Sequence, residues 1–373
     1  MKIGIVTFWT GIDNYGQILQ AYALQKFLRN KGHNAFVIRY NNLVYRGINW
    51  WLKLPFKIVY RIYLILFNKN LLNLQFRFKE QRRLSEEENR KHPRNFSLFK
   101  ERYIHFSEKI YDQKSIMLDP PKADVYIAGS DQIWSGLDPV YYLQFTPLLS
   151  KRIAYAPSFG GINLNNTKKK ILKRYLESFS VLGIREKEGV ELCRSLGRED
   201  SFLAIDPTLL LSKEDYSGIS VANSDNSEYL FLYLLGNEMD FDVSNIYAWA
   251  KSRNLEIKYV ASQGQVDSYE KIYPNIDEWL GIIQNAKYVV TNSFHGTVFS
   301  LIMNKKFLVI PLSGAFSRMN GRVVDLLTEL NLNNRLYSDD LNVLLQNIDF
   351  CTINKIMEEK RKQISLMFDK WLV

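Results

Sequence analysis

The stretch AKYVVTNSFHGTVFS, residues 286–300, decides how this chain reads. Residues 286–290 suit a buried strand, Thr291, Asn292 and Ser293 make a small polar turn, and 294–303 repeats apolar residues at helical spacing. A strand-to-helix turn presents unpaired backbone N–H groups and the positive end of a helix dipole, so the sequence predicts an anion site here. His295 stands in the first helical turn, where its imidazole would lie beside a bound anion and could act as an acid. The competing reading is a histidine that only caps its helix.

Working outward, the stretch belongs to a β-α series: strand 229–235, helix 243–253, strand 257–261, helix 277–285, and, beyond it, strand 307–311. A loop over 313–321 and a helix over 322–330 follow, bringing Arg318 and Arg322 towards the anion site. A closing helix spans 354–372. Upstream, strand 2–8, a polar turn and helix 16–30 lead to strand 35–39. This opens a second parallel series, without a GxGxxG fingerprint. Ligands sit at the carboxyl ends of such strands, which places Asp13, Asn14 and Gln17 near a cleft. Strand 124–128 runs into a sharp turn carrying Ser130, Asp131 and Gln132, and strand 152–156 ends in the glycine-rich loop with Ser158. Strand 181–184 delivers Arg185 at its tip, either as a bidentate clamp for a carboxylate or phosphate or as a surface ion pair with Glu186 or Glu188. Residues 202–205 and Asp206-Pro207 close this half, and 212–227 reads as a linker.

The expected architecture is therefore α/β, with two doubly wound, Rossmann-like domains facing a cleft. The first spans 1–210, with a helical insertion at about 42–114; the second spans 211–350, and 351–373 forms a C-terminal helix. In the insertion Lys53, Lys57 and Arg61 recur every four residues beside Phe56, Tyr60, Tyr63 and Phe67, with Pro55 marking a helix start. Such a helix either lies on an anionic membrane surface or packs on the core with its basic residues solvated.

Composition bounds the rest. The 373 residues are 46% hydrophobic with net charge +10, but 39 acidic residues accompany the basic ones, so only a general preference for anions follows. No uncharged apolar run is long enough to span a membrane, and the amino terminus lacks a cleavage-site pattern. Cys193 and Cys351 cannot build a disulfide framework, and His33, His92, His105 and His295 show no metal-ligand spacing. A reducing, cytoplasmic setting is expected, with no metal, no cofactor and no nucleic-acid partner.

Several stretches together resemble the polysaccharide pyruvyl transferase family: IAGSDQIW (127–134), YAPSFG (155–160), IREKEG around Arg185, IDPTLLL (205–211), NSFHGT (292–297) and GRVVDLLTELNLNNR (321–335). The resemblance implies a glycosyltransferase-B-like fold and transfer of the pyruvyl group of phosphoenolpyruvate to a pair of sugar hydroxyls. A pyruvate ketal would form on a surface or capsular polysaccharide precursor, often a lipid-linked one. It implies a catalytic acid at His295, with Asp131 as the candidate base. Donor contacts would come from Arg185, Arg318, Arg322, Asn292, Ser293, Phe294, Gly296 and Thr297, and acceptor contacts from Asp13, Asn14, Gln17, Ser130, Gln132 and Ser158. Many members carry arginine two residues before the histidine, where this chain has Ser293; Arg318 or Arg322 is the expected replacement. A nucleotide-sugar glycosyltransferase of the same architecture and a non-catalytic glycan-binding or membrane-surface protein are the alternatives. Peripheral contact with the inner face of a membrane through the basic aromatic insertion is the alternative to that insertion packing on the core.

Overall fold

The computed structural model describes residues 1–41, 61, 65, 69–160, 162, 164–221, 227–236, 239–262 and 267–373. Strands β1 (Lys2–Val6), β2 (Asn34–Tyr40), β3 (Phe106–Tyr111), β4 (Val125–Ala128), β5 (Lys151–Tyr155), β6 (Val181–Ile184) and β7 (Phe202–Leu203) form one sheet in the order β3-β2-β1-β4-β5-β6-β7. Strands β8 (Tyr229–Tyr233), β9 (Glu256–Tyr259), β10 (Tyr288–Thr291) and β11 (Lys306–Val309) form a second in the order β11-β10-β8-β9. All pairings are parallel. The central strands VYIA, YLFLY and YVVT are buried throughout, because helices cover both faces of a parallel sheet and leave no side to water.

The helices are α1 (Tyr15–Asn30), α2 (Lys69–Lys91), α3 (Phe96–Tyr103), α4 (Gln113–Leu118), α5 (Asn166–Glu177), α6 (Lys187–Ser195), α7 (Lys213–Ser217), α8 (Ser244–Lys251), α9 (Ile276–Asn285), α10 (Phe294–Ile302), α11 (Gly321–Glu329) and α12 (Phe350–Trp371). None of the described helices is long and apolar enough to cross a membrane.

Two expectations need correction. The β-α rhythm does not stop across 42–114, since β3 lies inside that segment and extends the sheet; its sequence FSEKIY leaves three consecutive side chains exposed, as an edge strand can. The segment 212–227 is not all loop either: Ser212 and Asp215 form a reciprocal capping box that starts α7, and Tyr216 is fully buried. Lys53, Pro55, Phe56, Lys57, Tyr60, Tyr63 and Phe67 lie outside the described residues. Arg61 is described, with its guanidinium 5.5 Å from the ring centroid of Phe76.

The two sheets are joined by packing as well as by the chain. Tyr15, at the start of α1, is fully buried; its hydroxyl donates to the Pro274 carbonyl at 2.7 Å and its ring stacks on Trp279 of α9 with centroids 5.2 Å apart. Such an aromatic pair adds about 0.5–1.5 kcal/mol beyond its buried area. Helix α12 then returns to the first sheet's side, placing Phe368 against Phe27 and Tyr155 and Trp371 against Phe202. In each sheet the strand order reverses once, between β1 and β4 and between β8 and β10, and crevices open at the carboxyl ends of such switch points.

Candidate active site

The turn after β10 is built by its own side chains. Ser293 caps α10, its hydroxyl accepting from the Gly296 N–H at 3.3 Å. Thr291 Oγ1 donates to the Tyr233 carbonyl at 2.6 Å and accepts from the Ser293 N–H at 3.0 Å, while Thr297 Oγ1 donates to the Ser293 carbonyl. Asn292 spans the second switch point, pairing with both the N–H (2.6 Å) and the carbonyl (2.9 Å) of Leu235 after β8. Gly296 packs so tightly on the strand that a Cβ would sit 2.3 Å from Thr291 Oγ1. Polar groups of Asn292, Ser293, Gly296 and Thr297 thus hold the turn through hydrogen bonds of their own. The backbone N–H groups of Phe294 and His295 are left unpaired among the described residues.

His295 projects from this turn onto the other sheet's strand tips. Its Nε2 lies 3.7 Å from Asp206 Oδ2, and its ring rests on Gly16 of α1, where a Cβ would fall 2.1 Å from Nδ1. Asp206 is 2% exposed, yet it is densely supported. Arg185 Nη1 donates to its Oδ2 at 3.0 Å, Ser130 Oγ donates to the same oxygen at 3.0 Å, and the Thr208 N–H and hydroxyl donate to Oδ1 at 3.0 and 2.7 Å. Burial opposes ionisation of this carboxyl, but His295, Arg185 and Thr208 together outweigh it and hold the group well below the usual carboxylate range. Nε2 of His295, 3.7 Å from Asp206 Oδ2, makes no hydrogen bond, and Nε and Nη2 of buried Arg185 likewise lack hydrogen-bond partners.

Phe294 carries two cations. The guanidinium carbons of Arg185 and Arg322 stand 5.3 and 5.5 Å from its ring centroid. Arg322, second residue of α11, has no carboxylate within ion-pair distance among the described residues. Burial, reinforced by the like charge of Arg185, pushes it down to about 10. Because the folded value lies below the free one, the charge is a cost at every pH below about 10, and a bound anion would offset it. Arg322→Gln is expected to raise Tm by about 1–3 °C at neutral pH, an advantage that fades above pH 10. The same variant should weaken inorganic phosphate binding about tenfold or more. Thermal melts and phosphate titration check both.

A family model of polysaccharide pyruvyl transferases matches residues 14–314. The chain belongs to this family. For a pyruvyl transferase family member the matched span takes in Gly16, Ser130, Asp131, Arg185, Asp206 and His295, while Arg318 and Arg322 lie just beyond it. No curated protein matches significantly over the sequence. Among solved structures, UDP-GlcNAc 2-epimerase from Methanocaldococcus jannaschii is 11% identical with TM-score 0.48, covering 92% of this chain and 91% of that one. The Neisseria meningitidis enzyme of the same name, bound to UDP-GlcNAc, is 9% identical with TM-score 0.45 over 100% and 99%. An E. coli heptosyltransferase is 11% identical with TM-score 0.36 over 89% and 100%.

The other expected residues divide. Asp131 sits at the β4 tip with φ of 74°, its Oδ1 4.0 Å from Arg185 Nη2 and its Oδ2 accepting from Gln17 Nε2 at 3.5 Å. Ser130 is buried as a strut between Arg185 and Asp206. Asn14 caps α1 through its Oδ1, and Asp13 Oδ2 accepts from Asn89 Nδ2 of α2 at 2.7 Å. Gln132 and Ser158 flank Gly160, Ser158 Oγ accepting from its N–H. Arg318 falls in the 3₁₀ segment Gly314–Asn320, and its side chain lies outside the described ones. Asp206 was missed, although an aspartate at a strand tip followed by Pro-Thr is also a capping pattern. Gly16→Ala, whose Cβ would fall 2.1 Å from Nδ1 and 2.8 Å from Cβ of His295, is expected to cut kcat ~100-fold and to lower Tm, measured by steady-state assay and calorimetry.

Proposed function

We propose that this protein transfers the pyruvyl group of phosphoenolpyruvate to two hydroxyls of a sugar, releasing phosphate. The observation that carries the reading is the meeting of Arg185, Arg322 and His295 around Phe294, with guanidinium and backbone N–H donors left unpaired. Phosphoenolpyruvate crowds a phosphate and a carboxylate onto one carbon, so it needs several fixed donors close together, and guanidinium groups bind both moieties bidentately. His295 gives a proton to the terminal enol carbon, and the ionised Asp206 faces the imidazole and orients it. The resulting oxocarbenium-like centre is attacked by one hydroxyl, phosphate departs, and the second hydroxyl closes the ketal. One hydroxyl proton restores His295 and the other leaves on phosphate, so the sum balances. Arg185 and Arg322 neutralise the phosphate as charge builds on it.

The acceptor in this reading is a glycan precursor, and the donor needs no cofactor. The test is to incubate the protein with phosphoenolpyruvate and p-nitrophenyl hexopyranosides bearing a free 4,6-diol, and separately with nucleotide sugars. Phosphate release accompanied by a pyruvate-sized mass gain on the glycoside supports the proposal; nucleotide release without it would replace pyruvyl transfer by glycosyl transfer.

A further inference from the structure

Beside Arg322 lies a cavity of about 360 Å³ between the start of α6 and the start of α11. Its ionisable lining is Glu186, Glu188, Glu191 and Asp325 against Lys187 and Arg322, an excess of carboxylates. Lys187 is already paired with Asp325 at 3.3 Å. Such a wall repels a polyanionic donor, yet carboxylates are good acceptors for the hydroxyls of a neutral sugar. One of them is unusual. Glu186 is 8% exposed, its Oε1 accepts from the Phe159 N–H at 2.7 Å, and its Oε2 is buried without any partner. A buried carboxylate oxygen left unpaired by the chain is costly, which leaves it open to a donor from outside the chain. Glu186 shares the cavity lining with Arg322 and is among the carboxylates whose charge acts on that guanidinium.

We propose that this cavity receives the acceptor sugar and that Glu186 Oε2 takes the proton of the hydroxyl that attacks the pyruvyl carbon. The inference rests on the pyruvyl-transfer reading and moves the base from Asp131 to Glu186. The hydroxyl oxygen bonds to the cationic carbon, its O–H bond breaks towards Oε2, and Glu186 later passes that proton to the departing phosphate. Asp131 lacks the vacancy, since its oxygens already face Arg185, Gln17 and the Gln132 N–H.

The test uses Glu186→Gln, whose amide oxygen can still accept from Phe159, and Val324→Trp, which fills the cavity from its exposed rim. Phosphate release is measured with phosphoenolpyruvate and the glycoside on which the parent is fastest; donor Kd is measured by calorimetry. Glu186→Gln is expected to lose ~100- to 10,000-fold in rate, to lose the acid limb of the pH profile for the glycoside, and to keep its donor Kd within threefold. Val324→Trp should raise the glycoside KM by about tenfold or more through lost space, with donor Kd unchanged. A Glu186→Gln rate within threefold of the parent, or a donor Kd weakened tenfold, overturns the assignment, as does an unchanged glycoside KM in Val324→Trp should the glutamine variant not fold. A parent protein that neither binds phosphoenolpyruvate nor releases phosphate sinks the functional reading itself, a result distinct from an active parent with an active Glu186→Gln.

Discussion

Arg185→Gln is expected to produce a protein that neither holds its donor nor keeps its full stability. Losing charged hydrogen bonds of about 1.5–3 kcal/mol each should weaken phosphoenolpyruvate binding by ~100-fold. The larger structural effect comes from Asp206, which would keep its buried charge with its principal cation gone; breaking a buried pair from one side costs about 3–5 kcal/mol. Adding Asp206→Asn should return most of that stability while leaving binding lost, a non-additivity that denaturant unfolding of the four proteins would measure. The carboxyl of Asp206 is held below its ordinary range, so its contribution is complete above about pH 5 and drains away as pH falls towards the folded value. The double variant should accordingly be less acid-sensitive than the parent. Equal stability of parent and single variant would refute this account.

The second expectation concerns rate without binding. His295→Gln should lower kcat by ~100- to 10,000-fold, the usual worth of a positioned acid, while donor Kd moves by less than threefold because the guanidinium groups remain. A variant that binds poorly but turns over normally would make His295 a binding group and shift the acid elsewhere. Single-turnover measurements with saturating donor separate the two outcomes.

Reading the sequence alone carried far where the causes are local. Residues 286–303 declare a buried strand, a capped turn and a helix within one short window, and β10, Ser293 and α10 lie where that pattern puts them. Arg185 was visible because it directly follows a short apolar run. What stayed hidden depends on partners far along the chain. Gly16 reads as a glycine of the first turn, yet the reason for it is an imidazole at position 295. Asp206-Pro207 reads as a crossing point, and nothing nearby says that Ser130, Arg185 and His295 converge on its carboxylate. Asn292 and Thr297 illustrate another ambiguity: short polar side chains at a helix start can serve a ligand or the turn, and only the hydrogen bonds to Leu235 and Ser293 decide for the turn. Likewise β3 carries three exposed side chains in a row, a weaker signal than the apolar runs of the central strands.

The proposed site is divided along the seam between the halves: Gly16, Arg185 and Asp206 come from one side, Phe294, His295 and Arg322 from the other. In the pyruvyl-transfer reading neither half alone would carry chemistry. Exchanging modules between relatives would therefore produce a working chimera only where one parent's bare helix turn accommodates the other parent's imidazole, which ties the inheritance of the two halves together.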